Sequence, residues 1–251
     1  MKKLFKEFVL LSRSIPGLAM AIFITSIVLM NLLANKSIDT NTSFLAVDCG
    51  IIFSWVVFLV MDMVVKRFGL RAGNMLTVMG LIVNLFMALM LIIASFIKGT
   101  WSMSFLGDGK IINEALDLTF RNTWYVLLGS SIAFLVSGIV NNLLNHLLGK
   151  IVDKKNNFAG FIARGYISTF IGQFIDNLLF ALIVSINFFG WNFVQCITCS
   201  LIGAGLELLF EIIFSPLGYK VMKNWEKNEV GIKYLNYLEE QKNENLNNRD
   251  K

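Results

Sequence analysis

Four carboxylates stand out within long apolar segments of this 251-residue chain, and each needs a chemical reason to be there: Asp62, Asp176, Glu207 and Glu211. An Asp at the centre of a helix in hydrocarbon costs about 2.5–3.5 kcal/mol, so such a residue is expected to bind a ligand, an ion or a counter-charge. A neutral amide would serve packing at lower cost than Asp176. We therefore predict that Asp176 binds a substrate.

Small and polar residues accompany Asp176 on one side of its segment. Ser168 and Gly172 precede it at intervals of four, with Thr169 and Gln173 alongside, which places all five on one narrow helix face. Neighbouring segments add polar residues at helical spacing: Asn84, Ser130, Ser137, Asn141 and Asn145. Together these residues predict a polar cavity between helices. The alternative interpretation is that they only hydrogen-bond neighbouring helices, for about 0.6 kcal/mol each.

The other carboxylates have an ionisable neighbour one helical turn away. Lys66 follows Asp62, so an ion pair there is either structural or part of a gate. Glu207 and Glu211 share a helix face, and two carboxylates so placed favour the exchange of a proton. The single histidine and the three cysteines match no metal, phosphate-loop, triad or zincin spacing. We therefore expect no enzyme activity, no metal and no cofactor.

The elements that position these residues must cross a membrane. Hydrophobic residues make up 56% of the chain and charged residues 16%, with a mean hydropathy of +0.66, whereas soluble domains have about 45–50% and 25%. Apolar runs near 20 residues predict an all-α, polytopic membrane protein, because helices satisfy their own backbone in hydrocarbon. Six transmembrane helices are predicted: Pro16–Leu33, Phe44–Val65, Met75–Ile97, Trp124–Leu148, Phe161–Ile186 and Phe193–Met222. They define a basic N-terminus (1–15), a six-helix transmembrane domain (16–222) and a polar tail (223–251).

The distribution of basic residues predicts the orientation of these helices. With the N-terminus inside, only four of the 22 Lys and Arg residues fall outside: Lys36, Lys98, Lys110 and Arg121. Basic residues mark cytoplasmic loops, so both termini are predicted to be cytoplasmic. The net charge of +5 follows from this topology, and we expect the lipid bilayer, not nucleic acid, as the partner of the basic surface.

The segments outside the predicted spans carry weaker patterns. Within the loop Lys98–Thr123, apolar residues at helical spacing are consistent with one short interfacial helix or with a plain connector. In the tail, Val230, Tyr234, Tyr237 and Leu238 form an amphipathic stripe, and the polar residues after about Gln241 are predicted to be disordered.

A short likeness between the two halves of the chain suggests an internal repeat. Asn31 and Asn142 each begin a similar Asn-Leu-Leu run at the end of a predicted span, and an Asp follows in the next span of each half, at Asp62 and Asp176. Two inverted three-helix repeats would follow, which is a plan of many secondary transporters.

Three segments resemble one family of transporters. They are 58–69 with Arg71, 164–176 with its Arg, Ser-Thr, Gln and Asp pattern, and Pro216 with Tyr219. From about Asn31 to Tyr219 the chain resembles the Vut-type family of queuosine precursor transporters. The resemblance implies a six-helix secondary transporter or facilitator that imports deazaguanine bases or nucleosides across the bacterial plasma (inner) membrane. Where many members carry Asp the chain has Asn141, and where a lysine is expected it has Glu207.

The resemblance also implies roles for individual residues. A guanine-like edge offers two adjacent donors, which a carboxylate such as Asp176 accepts in bidentate fashion. The predicted substrate ligands are Asp176, Gln173, Asn141, Asn84, Ser168, Thr169 and Glu207. The predicted gating or ion-coupling residues are Asp62, Lys66, Arg67, Glu211 and Arg164. The expected partners are a purine-like base or nucleoside, the bilayer and, as a further option, a second copy of the chain.

The sequence is also compatible with other functions. One is the substrate-binding subunit of an energy-coupling-factor vitamin importer, which usually carries an Ala-x-x-x-Ala stripe in its first span. Here Ala19 and Ala21 are two residues apart, which argues against that class. Import of another vitamin-like or nucleobase-like molecule is a second option, and an intramembrane enzyme or an assembly factor is a third.

Overall fold

The computed structural model describes residues 2–38, 47–105, 107–152 and 158–247. Nine α-helices lie in these ranges: α1 (Lys2–Ser14), α2 (Gly17–Leu33), α3 (Ile51–Phe68), α4 (Leu70–Phe96), α5 (Gly109–Val152), α6 (Phe158–Phe180), α7 (Ile186–Phe189), α8 (Phe193–Lys227) and α9 (Ile232–Asn247). Two-residue strands β1 (Ser37–Ile38) and β2 (Val47–Asp48) pair antiparallel between α2 and α3. A π-helical turn, Ala181–Ser185, joins α6 to α7.

Among the residues that the structure describes, four helices are long and apolar enough to cross a membrane: Leu70–Phe96, Gly109–Ile151, Phe158–Phe188 and Phe193–Lys227. A fifth span arises if α1 and α2, which meet at 104°, are counted as one broken span. The helix α3 is not counted because its 18 residues include three charged ones, Asp62, Lys66 and Arg67. The all-helical, multi-pass architecture is therefore confirmed, and the count of six spans stays a prediction.

Three sequence-based boundaries were wrong. The second span was predicted from Phe44, but α3 begins at Ile51, because the chain first pairs as β2 and then turns at Gly50; residues 44–46 lie outside the described residues. The residues from Gly109 to Thr123 were predicted as part of a loop, but they form the beginning of α5. The tail is helical to Asn247, whereas disorder was predicted after about Gln241.

Local sequence explains where several helices begin and end. Pro16 separates α1 from α2, because its ring removes a backbone donor and clashes with the preceding turn. Gly69, with φ of +88°, permits the reversal from α3 into α4, a conformation that a side chain would strain. Asn192 and Gln195 form a reciprocal capping box at the start of α8.

The long helix α5 packs between α4 and α6, while α8 packs against α3 and α6. Small residues allow these close approaches: a Cβ added to Gly172 of α6 would lie 2.9 Å from the Cβ of Asn141 on α5. Large apolar side chains such as Phe86 and Leu217 are about 60% exposed. Such outward-facing residues fit a bundle that is surrounded by lipid.

The two terminal helices pack together at one end of the bundle. Glu7 of α1 is buried, forms an ion pair with Arg71 at 2.6 Å and accepts a 3.5 Å hydrogen bond from Tyr234 of α9. Burial raises the pKa of Tyr234, and the Glu7 carboxylate adds to this effect. Tyr234 therefore stays a neutral donor. The apolar stripe of α9 thus fastens α9 to the bundle and to α1.

Candidate functional site

A partly open cavity lies at the opposite end of the bundle, among α2, α3, α5, α6 and α8. Its volume, on the scale used for protein cavities, is about 80 Å³, and it opens to solvent at its mouth. We call it the carboxylate pocket, after Asp48, Asp176 and Glu207, which all line it. Its other polar lining residues are Asn31, Ser54, Ser130, Asn177, Ser185 and Ser200. Phe180 and Trp191 supply aromatic surface.

Asp176 is only half-buried, so part of its carboxylate faces the pocket. The hydroxyl of Ser137 on α5 donates to Asp176 Oδ1 at 2.7 Å. Because α6 carries Asp176 in the turn before its π-helical segment, the side chain lies where the bundle opens. A carboxylate with one neutral donor keeps acceptor sites for a ligand.

Glu207 of α8 is almost fully buried, with 2% exposure, and its carboxylate is held by neutral donors. The hydroxyl of Ser54 donates to Oε1, and the amide of Asn177 donates to Oε2 at 3.2 Å. Glu207 is therefore fixed between α3 and α6 at the floor of the pocket.

Asp48 completes the acidic set from outside the spanning helices. Its Oδ1 accepts a 2.7 Å hydrogen bond from the backbone N–H of Gly50, just before α3 begins. Burial raises the pKa of Asp48 to about 6, and backbone donors at Gly50 and Ile51 oppose that rise. Asp48 therefore changes charge close to physiological pH.

The pocket is electrostatically one-sided. Three carboxylates line it, and its lining, as far as the described residues go, contains no Lys, Arg or His. Acceptor groups without basic neighbours favour a ligand that presents N–H donors or positive charge. The aromatic rings of Phe180 and Trp191 add surface for a flat ligand.

A second polar group lies deeper, toward the terminal helices, and we call it the Asp62 cluster: Asp62, Asn141, Asn145, Arg164, Thr169 and Glu211. Asp62 accepts hydrogen bonds from the Asn141 amide at 2.9 Å and from the Thr169 hydroxyl at 3.4 Å. Arg164 acts on Asp62 as a positive charge. Asp62 and Glu211 are 1% and 2% exposed, so this cluster is closed to solvent.

The two groups form successive layers of the bundle. Thr169 and Asp176 are seven residues apart on α6, or about 10 Å along the helix, and Glu207 and Glu211 are about 6 Å apart on α8. Gln173 lies between the layers, is 0% exposed, and neither end of its amide has a hydrogen-bond partner among the described residues.

The structure separates residues that the sequence grouped together. Of the seven predicted substrate ligands, only Asp176 and Glu207 line the pocket. Asn141 and Thr169 bind Asp62, while Ser168 accepts a 3.4 Å bond from Asn145. Asn84 instead bonds Ser131 at 2.7 Å, in the contact between α4 and α5.

The basic residues predicted to act in gating also lie in two separate places. Arg164 belongs to the Asp62 cluster, whereas the Arg67 guanidinium donates to the carbonyl of Val230, beside the terminal helices. Lys66 interacts electrostatically with Glu226 and with Arg164. Asp62, which the spacing predicted to pair with Lys66, interacts electrostatically with Arg164.

Sequence reasoning missed five polar residues of the pocket lining: Asp48, Ser54, Asn177, Ser185 and Ser200. Asp48 was read as part of an apolar span, and its position two residues before Gly50 was the available turn signal. Ser54 and Asn177 are single polar residues in apolar helices. Their roles depend on which helix faces them, and no spacing in the sequence shows that.

A membrane bundle with apolar outer faces and a partly open polar pocket in its interior has the architecture of a transport protein. The comparison with known families agrees. The chain belongs to the family described as "Putative vitamin uptake transporter", whose model matches residues 48–221. That match covers both the pocket carboxylates and the Asp62 cluster. No curated protein and no solved structure matches the chain.

Proposed function

We propose that this protein imports a queuosine precursor, a deazaguanine base or its nucleoside, as a secondary transporter or facilitator built on six transmembrane helices. The observation that carries the proposal is a partly open pocket with three carboxylates and, among its described lining residues, no basic side chain. Family membership supports uptake as the activity. The substrate is the one that the resemblance of 58–69 and 164–176 to the queuosine precursor transporters implies, and its N–H donors match the acceptors of these carboxylates.

A guanine-like edge suits Asp176 because its two adjacent N–H groups match the two oxygens of a carboxylate. Glu207 lies across the same pocket and is already supplied with donors by Ser54 and Asn177. In this proposal Asp176 therefore binds the base, and Glu207 with Asn177 orients it. Phe180 and Trp191 stack on the ring.

The proposed orientation puts the pocket toward the outside and both termini in the cytoplasm, in accord with the basic bias of the predicted inner loops. A reporter fused after Lys251 and another inserted at Asp108 should then report opposite compartments. If both report the same side, the six-span topology is wrong.

The binding test is a titration of purified protein with queuine. Asp176→Asn replaces one acceptor oxygen with a donor, and losing the charge-assisted contact should cost about 1.5–3 kcal/mol, or roughly 10- to 150-fold in affinity. The matched control is Asp108→Asn, the same change at an exposed carboxylate before α5. A folded Asp176→Asn variant with unchanged affinity would remove Asp176 from the site.

The negative pocket favours one alternative, a cationic vitamin-like molecule. Thiamine serves as the probe in the same titration. Tight thiamine binding without queuine binding would replace the substrate and keep the pocket. Uptake by this chain alone in reconstituted vesicles would exclude an importer that needs a separate ATPase subunit.

A further inference from the structure

The Asp62 cluster brings two buried carboxylates from different helices to one small space. A Cβ added to Gly165 of α6 would lie 3.2 Å from Asp62 Oδ2 and 3.2 Å from Glu211 Oε1. Both oxygens therefore border the same gap, which exists because residue 165 has no side chain. Since Asp62 belongs to α3 and Glu211 to α8, the gap lies where three helices meet.

Several oxygen atoms of the Asp62 cluster lack a donor among the described residues. Within the described part of the chain, Glu211 Oε2 and the Oδ1 atoms of Asn141 and Asn145 are buried without a hydrogen-bond partner. Asn141 is 0% exposed and is aimed at the cluster, because its Nδ2 donates to Asp62. A buried acceptor without a donor costs about 1–3 kcal/mol. What these atoms require is a donor or a cation.

The charged groups around the gap carry a net negative charge that one further positive charge would balance. Arg164 faces Asp62 from α6, and Thr169 of α6 is the neutral donor nearby. From α5 the cluster is faced by Asn141 and Asn145. The charges of Lys66 on α3 and His146 on α5 act on Arg164, and Glu207 lies one turn along α8. Lys66 is also balanced by Glu226. One guanidinium against two carboxylates gives a net charge of −1.

We infer that the gap between Asp62 and Glu211 over Gly165 binds one monovalent cation, a proton or a sodium ion, that drives substrate import. This inference rests on the proposed function for its role in import, while cation binding itself does not. The cation neutralises the second carboxylate, and the two carboxylates repel each other when the site is empty.

The geometry also indicates how cation and substrate are linked. Glu207 in the pocket and Glu211 in the cluster lie one turn apart on α8, and Thr169 and Asp176 lie on one face of α6. A rigid movement of α6 or α8 that alters the pocket would therefore also alter the gap. Such a shared element is what couples two sites.

The first experiment measures accumulation of queuine in vesicles that contain the purified protein. With one proton per substrate, an interior one pH unit more alkaline should give about a tenfold accumulation. A sodium gradient at equal pH is the second arm. Glu211→Gln removes the charge with little change in volume and should abolish gradient-driven accumulation. Asp108→Asn should not change it.

The second experiment needs no substrate. A bound proton gives the infrared carbonyl band of a protonated carboxyl group, which should weaken in Glu211→Gln. A bound sodium ion should instead raise the melting temperature of the wild-type protein as sodium replaces choline, and not that of Glu211→Gln. Size-exclusion profiles establish that the variant is folded, and Asp62→Asn is the second variant if it is not.

These outcomes separate the two proposals. Accumulation that follows the pH gradient identifies a proton, and accumulation that follows the sodium gradient identifies sodium. Queuine exchange by the wild-type protein with no response to either gradient would overturn coupling at this site. If queuine neither binds nor exchanges, the proposed function fails, and the second experiment still decides whether the cation site exists. No response in either readout of that experiment overturns the site.

Discussion

In the carboxylate pocket, Glu207 is held by neutral hydroxyl and amide donors, and Asp176 faces an open space. In the Asp62 cluster, about 6–10 Å deeper along the helices, Asp62 and Glu211 are closed off from solvent, and Asp62 interacts with the Arg164 guanidinium. The two layers use the same residue types. Their surroundings differ, with neutral donors and an open space in one layer and a guanidinium and closure to solvent in the other, and this difference predicts a substrate site and an ion site.

The largest expected effect is the loss of stability when Arg164, the guanidinium of the Asp62 cluster, is removed. Arg164→Gln leaves the buried Asp62 carboxylate, which borders the same gap as Glu211, without its positive partner, which should cost about 3–5 kcal/mol of stability. The loss should be smaller at low pH, where the carboxylates take up protons. Melting in detergent across a pH series measures it, with Arg13→Gln on the exposed side of α1 as control.

A second variant tests whether charge is the cause. Arg164→Gln combined with Asp62→Asn lowers the uncompensated charge and should recover part of the lost stability. If the double variant is less stable than Arg164→Gln at every pH, Arg164 acts through packing and not through its charge.

The second-largest effect is expected when the gap between Asp62 and Glu211 is filled by a side chain at position 165. In Gly165→Ala, the new methyl group would meet both carboxylates at 3.2 Å, so one must move, at a cost of about 1–3 kcal/mol for overpacking. Gradient-driven accumulation should fall more than queuine binding. Gly205→Ala on α8 is the matched control, since an added Cβ there meets nothing within 4 Å. Equal losses in both glycine variants would show that the gap has no special role.

The pH dependence of binding should come from the pocket, through Asp48. Its pKa of about 6 means that the carboxylate is ionised above pH 6 and neutral below. A ligand that donates to the ionised form should bind more weakly as pH falls through 6, by at most about tenfold per pH unit. Queuine titrations between pH 5 and 8 measure this, and Asp48→Asn should flatten the profile. An unchanged slope in Asp48→Asn would assign the titration to another group.

Hydropathy predicted where the helices lie in the sequence, because every segment that spans lipid must be apolar and must satisfy its own backbone hydrogen bonds. Helical spacing likewise predicted the polar face of α6. It did not predict that Thr169 and Asp176 on that face serve different layers, since this depends on α3 and α8 opposite them. Spacing also paired Glu207 with Glu211, because they are one turn apart and the sequence does not show which helices face them. In the structure Glu207 meets Ser54, and Glu211 meets Asp62.

The smallest expected effect belongs to Gln173, which lies between the layers. Both ends of its buried amide lack partners among the described residues, so the side chain is held at a cost. Gln173→Met keeps the length and removes the unpaired groups, and stability should therefore be unchanged or higher. If the amide reaches the substrate during transport, queuine affinity should fall by about 1 kcal/mol, or roughly fivefold, since a neutral hydrogen bond is weaker than that of Asp176.

The same variant decides to which layer Gln173 belongs. A loss of queuine affinity with normal cation coupling would place Gln173 with the pocket. Lost coupling with normal affinity would place it with the Asp62 cluster, where an amide oxygen is a suitable cation ligand. Melting curves, titrations and gradient-driven uptake on one preparation give all three readouts. If none of them changes, Gln173 serves neither layer, and the two sites communicate through the helices alone.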